Sequence, residues 1–492
     1  MLVLGIDLGT SFIKASVYDT STSCCIASIQ YPETETPIIS KQAGWAEQSP
    51  TVWWQNIKNA IILLHQQNKY NPEDIQAIGI AYQMHGLVCV DEHNELIRDS
   101  IIWCDSRAVE IGNTALSEMG EAYCVSHLLN SPANFTASKL AWVKQNEPEL
   151  FSKIKKIMLP GDYIAMKLTG EISTTISALS EGIFWDFKNN CVSTNLMEYF
   201  GFDQNVIPDF KNTFDLHGQL SKDIAFELNL KEGIPVSYKA GDQPNNALSL
   251  NVMKPGDVAA TAGTSGVIYA VTDELFHDKT YSVNTFAHVN YSSEKKSLGV
   301  LMCINGTGIA YKYIKQLLGE NLTYEELNTM ASTVAVGSEG VVMLPFGNGA
   351  ERIFNNKTIG SHLLNINFNT HNKNHITRAA LEGIAFAFHY GLKIMTQNGI
   401  QLKVIKAPKA NLFLSEVFTQ TFVNITGLTV ELYECDGSVG AAKGAAIGAS
   451  FYNNVEEAFT QNKPIAIYNP EQNEECLDSY KKWEHELHRF LQ

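Results

Sequence analysis

A short apolar strand, a tight polar turn and a returning strand occur twice in this chain, about half its length apart. In the first copy Leu2, Val3, Leu4 and Ile6 run into Asp7-Leu8-Gly9-Thr10-Ser11, after which Ile13, Ala15, Val17 and Tyr18 carry the return. In the second, residues 258–261 run into Ala262-Gly263-Thr264-Ser265-Gly266, and residues 267–271 return. Thr264 follows Thr10 by 254 positions in a chain of 492. A repeat of that period predicts two lobes of similar design rather than an array of short units, and the length is too great for one ordinary core. The boundary is expected near residues 248–254, dividing the chain into 1–248 and 249–492.

The charge balance narrows the partners. Fifty-two Asp and Glu against 36 Lys and Arg give a net charge of −16, a field that repels nucleic-acid backbones and anionic membrane surfaces. Nine scattered cysteines without a C-x-x-C pair fit neither a disulfide framework nor a zinc site, so a reducing cytoplasm is expected. The apolar start meets Asp7 at once and lacks a basic flank, unlike a signal peptide. No window approaches the roughly 18 to 20 apolar residues that a membrane span needs.

Between the two hairpins, periodicity places the groups that carry chemistry. Residues 53–67 have apolar residues at helical spacing after Ser49-Pro50, and residues 75–81 read as a buried strand that delivers Gln83-Met84-His85-Gly86. A second strand end delivers Trp103-Cys104-Asp105-Ser106-Arg107. Helical patches follow at 137–144 and 162–168. A strand at 236–238 leads to Gly241-Asp242-Gln243-Pro244, with a helix expected from Pro244. The apolar helix over 378–395 reads as core.

A Gly-Thr-Ser tip turns backbone N–H groups and two hydroxyls toward one point, which suits a phosphate, and two such tips suit a triphosphate held from both sides. Each tip alone is ordinary turn chemistry. No G-x-x-x-x-G-K-[ST] loop and no strand-borne G-x-G-x-x-G is present, so a nucleotide site here is of another type. Phosphoryl transfer also needs a cation across the phosphates and an acceptor for the attacking hydroxyl's proton. Asp7, beside the first tip, is the candidate for Mg²⁺, and Asp242 the second carboxylate, although a Gly-Asp turn also suits a simple helix cap. Met84, His85, Trp103, Asp105 and Arg107 would suit a sugar or polyol, against the blander alternative of a loop histidine and a core tryptophan.

Taken in order, these blocks resemble the FGGY carbohydrate kinases, and within them the xylulokinases. The resemblance rests on Gly5-Ile6-Asp7-Leu8-Gly9-Thr10-Ser11, Trp45-Ala46-Glu47-Gln48 with Trp53-Trp54, Gln83-Met84-His85-Gly86 and Ile102-Trp103-Cys104-Asp105-Ser106-Arg107. It continues through Leu159-Pro160-Gly161-Asp162-Tyr163, Leu168-Thr169-Gly170-Glu171, Gly241-Asp242 and Gly263-Thr264-Ser265-Gly266. It implies an α/β fold of two ribonuclease H-like lobes of the actin-like ATPase type around a catalytic cleft, and ATP-dependent phosphorylation of a sugar, D-xylulose first. By the same resemblance Asp242 is the catalytic base, Asp7 the magnesium-associated acid, and Met84, His85 and Gln243 lie toward the sugar. Thr10, Ser11, Lys14, Gly263, Thr264, Ser265, Gly306, Ala410 and Asn411 lie toward ATP. Because aspartate is a weak base, proton transfer is expected late in the reaction. Dimers are common among xylulokinases, so a homodimer is the oligomeric expectation.

Two departures qualify the resemblance. Where the family carries Gly-Gly-Gly-Ala beside adenine, this chain has Lys406-Ala407-Pro408-Lys409-Ala410-Asn411 in a segment about three residues longer, which leaves the nucleotide open. The acidic block reads Asp242-Gln243-Pro244 instead of Asp-Asn-Ala. A kinase for ribulose, glycerol or another polyol, and a sugar-sensing pseudokinase, are therefore the alternatives; a chaperone would need a peptide-binding domain beyond the Gly444 region.

Overall fold

The computed structural model describes residues 1–275, 278 and 281–492. The first hairpin is formed by β1 (Leu2–Leu8) and β2 (Ile13–Asp19), antiparallel and in register from Leu2 opposite Asp19 to Leu8 opposite Ile13. With β3 (Cys24–Tyr31), β4 (Ile75–Tyr82) and β5 (Val236–Gly241) it makes a five-stranded sheet in the order β5-β4-β1-β2-β3. β5, β4 and β1 are parallel, so their carboxyl ends leave the sheet on one side, the usual location of a ligand site in α/β sheets. Those ends carry Asp7, Gln83-Met84-His85 and Asp242.

The helices of this lobe follow their local signals. α1 (Pro50–His65) begins with proline in its first turn and buries Trp53, Ile57, Ile61 and Leu64, which recur at helical spacing. α2 (Thr136–Asn146), α3 (Pro160–Thr169) and α4 (Ile176–Glu181) occupy the middle of the lobe, and α5 (Asp242–Ser249) follows β5 directly. α5 starts two residues before the expected position. Pro244 needs no N–H partner in a first turn, so the helix extends back through it to Asp242.

The second half repeats the plan. β6 (Asp257–Ala262) and β7 (Gly266–Thr272) form the second hairpin, joined by β8 (Asn284–Ala287), β9 (Leu298–Ile304), β10 (Val404–Pro408), β11 (Thr429–Tyr433) and β12 (Ala466–Tyr468) in the order β8-β9-β7-β6-β10-β11-β12. β6, β10 and β11 are again parallel neighbours. Their ends carry the second Gly-Thr-Ser tip, the Lys409–Asn411 turn and Asp436. α6 (Gly308–Leu318), α7 (Lys373–Gln397) and α8 (Gly437–Gly448) complete the elements used below; α7 runs through the core, as its apolar spacing predicts.

Each lobe lends a helix to the other. Ala247 of α5, with Leu250 and Val252 just after it, packs on Ala259, Tyr269 and Val271 of the second sheet. α8 lays Ala441, Ala442, Ala445 and Ala446 on Val3, Ala77, Tyr238 and Ala240 of the first sheet. The approach is close enough that a methyl on Gly5 would sit 1.8 Å from the Ser438 carbonyl oxygen and one on Gly79 2.0 Å from that of Ala441. A helix of small residues and two strand glycines thus let backbone meet backbone.

Candidate active site

Asp7 and Asp242 leave the ends of β1 and β5 toward the same cleft. Burial, and then the negative charge of Asp7, push the Asp242 carboxyl up to about 7, against hydrogen bonds from the Gln243 N–H and side chain. Burial and Asp436 push Asp7 up to about 6, while Lys14 pulls it back. Two like charges in a desolvated cleft resist ionising together. Gln243 therefore acts first on Asp242, holding the carboxylate rather than pointing away from it.

Asp436, which sequence reasoning passed over, is the second lobe's counterpart of Asp242: each follows the outer parallel strand and opens the exchanged helix. Its Oδ1 accepts from the Ser438 N–H at 2.8 Å as an N-cap, and its Oδ2 lies 3.2 Å from Lys14 Nζ across the cleft. Lys14 is thereby tied to the opposite lobe. An Asp-Gly pair before a run of small helical residues was the available signal.

Asp7, Asp242 and Asp436 form an acidic edge flanked by Lys14, not a cage: among the described residues no three metal-ligating side chains converge on one point. Such an edge fits Mg²⁺, which binds through one or two carboxylates, retained waters and phosphate oxygens.

The first tip is braced from below. Thr10 Oγ1 donates to Gln83 Oε1 at 3.2 Å and accepts from Trp103 Nε1 at 2.9 Å, while Gln48 Nε2 donates to the Thr10 carbonyl at 2.8 Å. Gln83 and Gln48 join through a 3.1 Å bond, and Trp53 Nε1 donates to the same Gln48 oxygen. Trp103 stays half exposed at the rim, and the Ser11 hydroxyl has no protein partner among the described residues. The second tip is closed by α6, whose Gly308 and Ile309 N–H groups donate to the Gly263 and Thr264 carbonyls at 2.8 and 3.1 Å. Thr264 is exposed there.

The segment that departs from the family's glycine loop turns at Asn411. Asn411 adopts φ +55°, a left-handed conformation that asparagine tolerates better than most residues, and sets its side-chain amide 3.6 Å from where a Gly263 side chain would begin. Ala410 precedes it in extended conformation. Gly306 is buried, and a methyl there would lie 1.6 Å from the Pro345 carbonyl oxygen, so its small size also serves packing.

Met84 packs against Gly241, the residue before Asp242, and His85 follows it in the chain. A side chain on Gly241 would meet Met84 Cγ at 2.6 Å and Glu181 Oε2 at 2.8 Å. His85 takes φ +62°, and its carbonyl is held by Lys139 Nζ at 2.8 Å and Thr136 Oγ1 at 3.3 Å. Its Nδ1 lies 3.0 Å from the Glu181 carbonyl, which makes Nδ1–H the donor and leaves Nε2 an acceptor. Burial first, then Lys139, lower its pKa to about 3, so the ring is neutral. Glu181, another residue the sequence did not single out, is driven well above the ordinary carboxylate range by burial and then by Asp242.

Asp105 and Arg107 are not presented to the cleft as expected. Asp105 is fully buried, accepts from the Ala46 and Arg107 N–H groups and pairs with the Arg107 guanidinium at 2.6 Å. Arg107 also donates to Glu47 at 2.8 Å and lies 3.9 Å over Trp45. The pair builds the wall behind Trp103, because two opposite charges out of water satisfy each other before any neutral ligand.

The FGGY family N-terminal domain matches residues 2–249 and its C-terminal domain residues 258–451. The chain belongs to the FGGY family of carbohydrate kinases. It is thus a phosphotransferase, and the family implies ATP. Curated relatives of this FGGY kinase include the xylulose kinase of Bacillus subtilis (strain 168), 26% identical over 96% of this chain and 93% of that protein, and that of Escherichia coli (strain K12), 26% identical over 94% and 92%. Among solved structures, xylulose kinase from Rhodospirillum rubrum superposes with a TM-score of 0.89 at 22% identity, covering all of both chains. Plasmodium falciparum glycerol kinase with ADP superposes with a TM-score of 0.90 at 20% identity, over 100% of this chain and 98% of that one. These likenesses carry the actin-like ATPase fold. Among the described residues no helix is long and apolar enough to cross a membrane.

Proposed function

We propose that this FGGY kinase transfers the γ-phosphoryl group of Mg-ATP to the terminal hydroxyl of D-xylulose, giving D-xylulose 5-phosphate. The observation that carries the reading is the junction at Gly241, where Met84, next to His85 in the chain, packs against the residue before Asp242, whose carboxyl burial and then Asp7 push up. The naming of the curated relatives points to the same sugar.

In this reading Asp242 accepts the proton of the attacking hydroxyl. Its elevated pKa makes it a better base than an ordinary aspartate, so proton transfer need not wait as late as a carboxylate near 4 would require. Gln243 orients that carboxylate, and His85 Nε2 accepts from a sugar hydroxyl. Thr10, Ser11, Gly263, Thr264 and Ser265 offer N–H and hydroxyl groups to the phosphates, and Ala410 and Asn411 flank the nucleoside. Mg²⁺, arriving with the nucleotide and held through Asp7, would neutralise phosphate charge. A cytoplasmic homodimer belongs to the same reading.

The second reading is a kinase for ribulose, glycerol or another polyol, favoured by the replacement of Asn-Ala by Gln243-Pro244 beside the base. ADP release with D-xylulose, D-ribulose, L-ribulose, glycerol and no sugar, with Asp242→Asn as the blank, separates the two. Turnover led by D-xylulose supports the first; turnover led by another acceptor replaces it.

A further inference from the structure

His85 shares its aromatic enclosure with a cation from the other lobe. Its ring lies 4.8 Å from Phe135 and 5.3 Å from Phe286, and the Arg352 guanidinium lies 5.8 Å over the same Phe135. Phe135 belongs to the first lobe, whereas Arg352 follows a strand of the second. The arginine is partly buried, which lowers its pKa, and among the described residues no carboxylate pairs with it. Neighbouring Glu351 is turned instead to the Asn305 N–H at 3.1 Å. One guanidinium N–H donates to Asn284 Oδ1, and Asn284 Nδ2 in turn donates to Asn130 of the first lobe at 3.0 Å. The guanidinium has further N–H donors that this single bond does not use.

A partly desolvated donor fork without its own anion gains when a ligand accepts from it. His85, against the same Phe135 ring, offers the lone pair of Nε2, an acceptor because the imidazole is neutral. Such a donor and acceptor match a hydroxymethyl ketone, HO–CH₂–C(=O)–, with the carbonyl oxygen on Arg352 and the hydroxyl proton on Nε2. A sugar carboxylate would satisfy the arginine but set an anionic oxygen against the histidine lone pair. A polyol would offer only a neutral alcohol oxygen, a weaker acceptor. Asp242 marks the opposite end of the acceptor, at the hydroxyl that is phosphorylated.

Resting on the proposed function, we infer that Arg352 is a specificity-determining residue that reaches from the second lobe to the ketone end of the sugar. Recognition of a ketose then draws on both lobes at once.

The test compares wild type, Arg352→Gln and Arg352→Lys with D-xylulose, xylitol and D-xylonate, by kcat and KM with Mg-ATP and by calorimetric sugar affinity without nucleotide. Arg352→Gln is expected to raise KM for D-xylulose by about 10- to 100-fold, the size of a lost charged hydrogen bond, with a smaller change in kcat and less than about threefold change for xylitol. Arg352→Lys, which keeps the charge without the fork, falls between. Parallel losses on D-xylulose and xylitol, an unchanged KM, or a wild-type preference for D-xylonate overturns the inference while leaving sugar phosphorylation standing. A wild-type protein that neither binds nor phosphorylates D-xylulose overturns the proposed function and this inference together. Binding without turnover, weakened in Arg352→Gln, removes the kinase reading for that sugar and keeps Arg352.

Discussion

The carboxylate of Asp7 rests against the α-carbon of Gly437: a methyl built there would meet Oδ2 at 2.2 Å. Asp7 ends the first strand of the chain, and Gly437 opens the helix exchanged from the other lobe. Gly437→Ala is expected to displace either the carboxylate or the helix start and to lower kcat/KM by about tenfold or more, since small misplacements near reacting groups are amplified. Steady-state kinetics beside a thermal melt check this. A variant with wild-type kcat/KM would show that Asp7 need not stay where it is.

Asp242→Asn is expected to lower kcat by at least about 1,000-fold with sugar affinity retained, as removal of a general base does. It also carries a stability signature. The folded protein keeps a proton on Asp242 up to about pH 7, whereas the unfolded chain releases it near 4, so stability declines as pH rises through that window. Removing the carboxyl should therefore stabilise the fold at pH 8, by up to about 4 kcal/mol, and not at pH 4. Melts of both proteins at the two pH values decide it.

The pH dependence of turnover follows from the same coupling. In the free enzyme kcat/KM should rise with pH through an apparent pKa near 7, a property of the Asp7 and Asp242 pair and not of one residue. At saturating Mg-ATP the cation offsets the Asp7 charge, so the limb of kcat should lie at lower pH. A kcat limb at or above that of kcat/KM would contradict this coupling.

Lys239 and Asp162 form a fully buried ion pair at 2.7 Å, and the ammonium also donates to the Ser173 carbonyl at 2.6 Å. Lys239→Met strands the Asp162 carboxylate out of water and should cost about 3 to 5 kcal/mol. Urea unfolding measures it, and a loss below about 1 kcal/mol would mean that Asp162 finds another partner.

Glu181 gives the converse case. Because burial holds its carboxyl toward the protonated form, Glu181→Gln should leave kcat/KM and its pH profile within about twofold. A shift of the acid limb toward lower pH in that variant would show that Glu181 carries charge beside Asp242.

Much of this molecule follows from local pattern. Strand alternation and the repeated Gly-Thr-Ser turn fix both hairpins, and the end of an apolar run followed by a polar block places Asp7, Met84, His85 and Asp242 outside strand ends. Period and turn chemistry are local properties, so residues near in sequence determine them. What the chain order hides is which distant groups share a site. Asp436 meets Asp7 and Lys14 only because α8 crosses to the first sheet, which its alanines and the glycines at 5 and 79 permit. Asp105 and Arg107 read as ligand groups until burial turns them on each other. Arg352 joins His85 only through Phe135, far away along the chain. Charge and hydrogen bonding act through space, over a few ångströms of low dielectric, so the pairing of these groups is settled by packing and not by their order in the sequence.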